Sequence, residues 1–146
     1  MASLVDTNIL TYRWDPRDPR KQSIAENLLH ESMSAGALYI PHQAIVEFMA
    51  VAPTLRWMGQ PVLTAEHVLR EAEELLIEFP ILYPDELMLR TALRGMAAYR
   101  LSWFDAHLWA YAERYGLSDI VSEDFAHGRR YGTVRVRNPF VEDSTA

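Results

Sequence analysis

The chain has 146 residues, the length of one ordinary domain, and its 49% hydrophobic and 23% charged content describes a folded globular protein, not a disordered one. It has no cysteine, which removes disulfides, thiolate nucleophiles and cysteine-based zinc sites together. The formal net charge of −6 argues against a broadly basic nucleic-acid binder; no apolar run reaches the roughly 20 residues of a membrane span, and Asp6 stands where a secretory signal is apolar, so the expected home is the cytoplasm.

In chain order, Ser3–Thr7 reads as a short strand running into an acid and the turn-prone Asn8, with a helix following through Trp14. Prolines predict a break over Asp15-Pro16-Arg17-Asp18-Pro19. Gln22–Met33 has Ile24, Leu28 and Leu29 at helical spacing, with Gly36 as a stop signal. Ala37–Ile40 is a short apolar strand closed by Pro41. His42–Trp57 is helical in pattern, kinked at Pro53, with Gly59 just beyond it. Thr64 caps a helix running to Ile77, with Glu66 in its first turn. Pro80 makes Phe79–Tyr83 a short or edge strand. Asp85 caps a helix to Tyr99, and Ser102 caps another over Trp103–Tyr115 that Gly116 ends. Asp119–Ser122 and Thr133–Val136 are the last two strands, and Asn138-Pro139 follows. No repeat or linker divides residues 1–146, so a single domain is expected.

Strands alternating with helices predict an α/β fold, a largely parallel sheet covered on both faces. Ligands of such sheets sit beyond the carboxyl ends of the strands. Asp6 ends the first strand after Leu4-Val5, with Thr7 and Asn8 beside it to bond a carboxylate or a metal-bound water. Glu47 lies in the apolar stretch Ala44-Ile45-Val46-Glu47-Phe48-Met49, so it is either at risk of burial or on an outer helix face. Asp105 falls in the first turn of a helix, where the dipole favours an acid. Glu123 and Asp124 follow the strand Ile120-Val121-Ser122, and adjacent side chains there diverge, so Asp124 is favoured for the site and Glu123 for a supporting or outward role. Such acids from separate elements suit hard cations like Mg²⁺ and Mn²⁺. Those metals activate water and clamp the transition state of phosphodiester hydrolysis. The five histidines lack His-Glu-x-x-His spacing, and no Gly-rich phosphate loop or Gly-x-Ser-x-Gly elbow is present. His127, beside the acid pair, is either a base or a loop residue.

Lys21 is the only lysine. Cations cluster at Arg13, Arg17, Arg20 and Lys21, and again at Arg129, Arg130, Arg135 and Arg137. Arginine binds phosphate in bidentate fashion, so Arg13, Arg129 and Arg130 are candidates for RNA contact.

These segments resemble the PIN-domain nucleases, and among them the VapC-type toxins of toxin–antitoxin pairs. The likeness rests on Leu4-Val5-Asp6-Thr7-Asn8, on Glu47 after the second strand, on Leu101-Ser102-Trp103-Phe104-Asp105-Ala106, and on Val121-Ser122-Glu123-Asp124-Phe125-Ala126-His127-Gly128 followed by Val136-Arg137-Asn138-Pro139-Phe140. The resemblance implies an α/β/α sandwich with a central parallel sheet and Mg²⁺- or Mn²⁺-dependent endoribonuclease activity. It implies metal-binding catalytic acids at Asp6, Glu47, Asp105 and Asp124, supported by Thr7, Asn8, Ser102 and Glu123. It also implies an RNA substrate, an antitoxin partner whose tail enters the groove, and a homodimer. Many PIN domains carry a further acid where this chain has Ala126, which leaves one-metal and two-metal mechanisms open. Two rivals come from other classes. A phospho-accepting receiver module needs a matching lysine, and Lys21 is poorly situated for it. A catalytically silent PIN-fold module would dock a protein or RNA without cutting.

Overall fold

The structure is a computed structural model and describes residues 2–141. Its main sheet has six strands. They are β1 (Ser3–Val5), β2 (Leu38–Pro41), β5 (Ile81–Leu82), β6 (Asp119–Val121), β7 (Arg130–Tyr131) and β8 (Val134–Arg137). Their spatial order is β5-β2-β1-β6-β8-β7. Every pairing is parallel except β7 on β8 at one edge, so the sheet is mainly parallel.

The alternation of side chains along each strand divides the core into two layers. Leu4, Ile120 and Val136 face one side, where Met88 and Ala92 of α5 (Glu86–Tyr99) and Leu108 and Tyr111 of α6 (Trp103–Arg114) cover them. Val5, Ile40 and Val121 face the other. That side is covered by α1 (Thr7–Tyr12), α2 (Pro19–Ala35), α3 (His42–Val51) and α4 (Ala65–Glu78). The result is the α/β/α sandwich that alternating strands and helices imply. α5 and α6 approach closely because Gly95 lacks a side chain: a Cβ there would stand 2.6 Å from the Trp109 ring.

Besides shifts of one or two residues at element ends, three features differ from the sequence reading. First, α2 begins at Pro19, not Gln22, with the Asp18 carboxylate accepting the Lys21 amide. Proline at the first helical position starts a helix, since its missing N–H would have had no partner there. Second, His42–Trp57 is not one helix. α3 stops at Val51, a 3₁₀ turn spans Ala52–Thr54 around Pro53, and β3 (Arg56–Trp57) pairs with β4 (Gln60–Pro61) in a separate hairpin. Met58 and Gly59 take φ of 52° and 80°, the two positive values that a tight two-residue hairpin turn requires. Third, β7 is an additional edge strand, folded back on β8 through Gly132 at φ 63°.

Candidate functional site

β1 and β6 are adjacent and in register, with Val5 opposite Val121. The residues that follow them, Asp6 and Ser122, therefore emerge together at the carboxyl edge of the sheet. Asp6 is only 7% exposed and Ser122 is fully buried. Ser122 Oγ donates to Asp6 Oδ2 at 2.7 Å, and the Thr7 amide donates to Asp6 Oδ1 at 2.7 Å. Both bonds favour the charged carboxylate, yet burial outweighs them. With some help from the charges of Asp124 and Glu47, burial pushes the Asp6 carboxyl up from 3.8 to about 6.

Glu47 does not face solvent. It is half-buried on the side of α3 that packs against α1. Thr7 Oγ1 donates to its Oε2 at 2.7 Å, and Gln43 Nε2 donates to its Oε1 at 3.1 Å. Gln43 is one helical turn before Glu47, on the same face. Asp105 lies in the first turn of α6, where its amide donates to the capping Ser102 Oγ at 3.2 Å. Burial raises the Asp105 pKa against the pull of Ser102, and the charges of Asp124 and Glu47 add to the rise. Asp124 is exposed at the rim. Its amide donates to Ser122 Oγ at 3.1 Å, and Asn8 Nδ2 donates to its Oδ2 at 3.1 Å. Glu47 and Asp124 thus stand within electrostatic range of both Asp6 and Asp105.

Glu123 diverges from this group. It accepts from Lys21 Nζ of α2 at 2.7 Å and from the Tyr12 hydroxyl of α1. The basic candidates also separate. Arg13 is held by Glu26 at 2.8 Å and by the nearly buried Glu71 at 3.0 Å, so its guanidinium is engaged inside the protein. The Arg129 guanidinium lies 4.6 Å from the Tyr131 ring centre. Arg130 is exposed and lines a groove on the sheet.

Two residues missed from the sequence complete the site. Ser122 ties Asp6 to Asp124, and Gln43 holds Glu47 and reaches the Phe104 carbonyl at 3.3 Å. A hydroxyl directly before the acid pair, at a strand end in register with the first, was the available signal for Ser122. For Gln43 it was the four-residue spacing to Glu47.

The donor set is made of hard oxygens. While the Asn8 and Gln43 amide nitrogens bond the carboxylates, their buried oxygens Oδ1 and Oε1 have no donor. A pocket of acceptors short of donors suits a hydrated cation, which supplies charge and water protons together. Among the described residues no three His, Asp or Glu side chains form a ready-made metal cage. That arrangement is compatible with Mg²⁺, which keeps several waters and commonly takes one or two carboxylates plus phosphate oxygens.

A PIN domain family model matches residues 3–132. The chain belongs to the PIN-domain family. No curated relative matches it. Among solved structures, this PIN domain is similar to a chain of the FitAB complex bound to the IR36 DNA fragment, with a TM-score of 0.69 and 18% identity over 99% of both chains. It is also similar to VapC20 of Mycobacterium tuberculosis, a toxin that cleaves the sarcin-ricin loop, with a TM-score of 0.63 and 14% identity over 84% of this chain and 92% of that one. A third is VapBC2 of Rickettsia felis bound to a fragment of its promoter DNA, with a TM-score of 0.68 and 12% identity over 94% and 98%. At these identities the likeness is one of fold. Among the described residues no helix of this PIN domain is long and apolar enough to cross a membrane.

Proposed function

We propose that this PIN domain is a Mg²⁺- or Mn²⁺-dependent endoribonuclease, acting as one domain over residues 1–146 in the cytoplasm, and the toxin of a toxin–antitoxin pair. The observation that carries the reading is the buried Asp6 carboxylate, coupled to Glu47 and Asp124 and flanked by the donor-starved oxygens of Asn8 and Gln43. Asp6, Glu47, Asp105 and Asp124 would hold the metal. When bound, the cation supplies an activated water and neutralises charge developing on the phosphate.

The chain's own residues prepare that chemistry. Ser122 and the Thr7 amide fix the rotamer of Asp6, and Thr7 and Gln43 fix Glu47 from both oxygens. Carboxylates whose orientation is fixed before substrate arrives lose no freedom on reaching the transition state. Asn8 orients Asp124 at the open rim, where substrate enters. Support for a partner antitoxin comes from the fold shared with FitAB and VapBC2, both complexes bound to DNA; the homodimer is proposed on the family resemblance alone. Phe104, 64% exposed beside Asp105, offers apolar surface to such a partner at the mouth of the site.

The absence of a ready-made cage among the described residues favours the second reading, a silent module that binds RNA or protein without cutting. A cleavage assay on purified protein separates the two. Labelled RNA should be cut with Mg²⁺ or Mn²⁺ and remain whole in EDTA. Asp124→Asn should abolish cutting, and Glu123→Gln should retain it. Cutting that persists in EDTA sinks the metal mechanism, and RNA that stays intact with either metal leaves the silent module standing.

A further inference from the structure

The two basic clusters have different fates. Arg13, Arg17 and Lys21 are consumed by ion pairs with Glu26 and Glu71, with Asp15, and with Glu123, while Arg20 bonds the Phe140 carbonyl. Along β7 and β8 the cations are left available. Arg130 and Arg135 are directly opposite one another across the antiparallel β7–β8 pair, so both side chains leave the same face. Arg137 projects from that face two residues further along β8, about 7 Å away. Arg130 and Arg135 are exposed and make no ion pair among the described residues, while Arg137 shares Asp119 at 3.3 Å.

This face is the one that α1–α4 cover elsewhere; α2 approaches β8 beside Arg137, while Arg130 and Arg135 stay exposed. The opposite face carries the buried Val134 and Val136. What remains is a groove of about 520 Å³ floored by β6 and β8 and lined by Asp119, His127, Arg130, Thr133, Arg135 and Arg137. Among the described residues, three arginines against one carboxylate make it locally cationic on a protein of net charge −6. Like charges directly opposite in a sheet destabilise it, so the Arg130–Arg135 pair is unfavourable without an anion to share.

The groove is also tied to the acid site. The Ser122 amide donates to the Arg137 carbonyl at 3.1 Å, and Ser122 Oγ holds Asp6. The line of arginines therefore ends at Arg137, one strand from the β6 end that carries Asp124 and two from the β1 end that carries Asp6.

We propose that this groove binds the sugar-phosphate backbone of the RNA strand on one side of the scissile bond, with Arg130, Arg135 and Arg137 on successive phosphates. The proposal rests on the nuclease reading for its choice of RNA. An acidic protein that cuts a polyanion must offset repulsion from its own acids, and on this face two arginines that make no ion pair among the described residues stand opposite one another.

The test uses the full chain as wild type and as the Arg130→Gln/Arg135→Gln double variant. Binding of a fluorescein-labelled single-stranded RNA is followed by anisotropy in EDTA across a KCl series, and cleavage is followed separately with Mg²⁺. The double variant should bind at least tenfold more weakly at low salt, and its log–log salt slope should fall by about 1.4, at about 0.7 for each lost phosphate contact on a single strand. It should melt no lower than wild type, because a like-charge pair has been removed. Unchanged affinity and slope overturn the groove, as does tighter binding of a duplex DNA of the same length. Wild type that cleaves RNA with a KM the double variant shares overturns the groove and leaves the nuclease reading intact. Arginine-dependent binding without cleavage supports the groove and sinks the nuclease reading.

Discussion

Replacing Asp6 by asparagine tests whether the charge at the floor of the site is held at the expense of stability. Burial lifts the Asp6 carboxyl from 3.8 to about 6, although the Ser122 hydroxyl and the Thr7 amide both pull it down. A carboxyl with a raised native pKa binds protons more tightly folded than unfolded, so stability is lost as pH climbs from 3.8 through about 6. At neutral pH the difference amounts to about 3 kcal/mol, an upper figure for one buried group. Asparagine carries no charge and keeps a carbonyl for the Thr7 amide, and its N–H finds a lone pair on Ser122 Oγ. Asp6→Asn in EDTA at neutral pH should therefore be about 1–3 kcal/mol more stable than wild type. For a domain of this size each kcal/mol moves the melting temperature by about 2–4 °C. Near pH 4 the gap should close, since wild-type Asp6 is then mostly protonated in the native state. Excess Mg²⁺ should raise the Tm of wild type more than that of the variant, because binding energy is gained only by a competent folded site. The measurement is a set of melting curves from acid to neutral pH, in EDTA and in Mg²⁺. A variant that melts lower than wild type at neutral pH in EDTA would refute the reasoning, as would a gap that does not change with pH.

Two further substitutions probe separate parts of the structure. Ser122→Ala removes the hydroxyl that donates to Asp6 and accepts from the Asp124 amide, so cleavage should fall about 10- to 100-fold and the rising limb of its pH profile should move to higher pH; an unmoved profile would mean that Ser122 does not hold Asp6. Gly95→Ala in α5 would gain up to about 1 kcal/mol from helix propensity alone, but its Cβ would stand 2.6 Å from the Trp109 ring, so overpacking should lower stability by about 1–3 kcal/mol; a higher Tm would show that the α5–α6 contact is slack.

The architecture was legible because buried parallel strands read as apolar pairs, Leu4-Val5 and Ile120-Val121, the first followed at once by Asp6 and the second, after Ser122, by Glu123 and Asp124. The missed elements are those whose local chemistry is ambiguous. Pro19 reads as a breaker until Asp18 is recognised as the cap that makes it a helix start. The hairpin of Arg56–Trp57 and Gln60–Pro61 is all exposed and carries no alternating pattern, and it turns on a positive φ at Met58, a residue type that gives no hint of one. In the site, the acids could be named from strand ends and helix starts. Ser122 and Gln43 could not, because their roles depend on register between β1 and β6 and on the packing of α3 against α1.

Charge shows the same limit, and shows what three dimensions add. In one dimension the two basic clusters look equivalent, four cations each. Their difference lies in acids far away along the chain. Glu71 and Glu123 reach back 58 and 102 residues to neutralise Arg13 and Lys21. Nothing comparable reaches Arg130 or Arg135 among the described residues. Pairing at the first cluster ties α1 and α2 to α4 and to the segment after β6, which stabilises the frame around Asp6. The lack of ion pairs at Arg130 and Arg135 among the described residues leaves positive potential on the exposed part of the sheet. A chain of net charge −6 can therefore present separate acidic and cationic surfaces to one polyanion, because its folding consumes one set of arginines and spares the other.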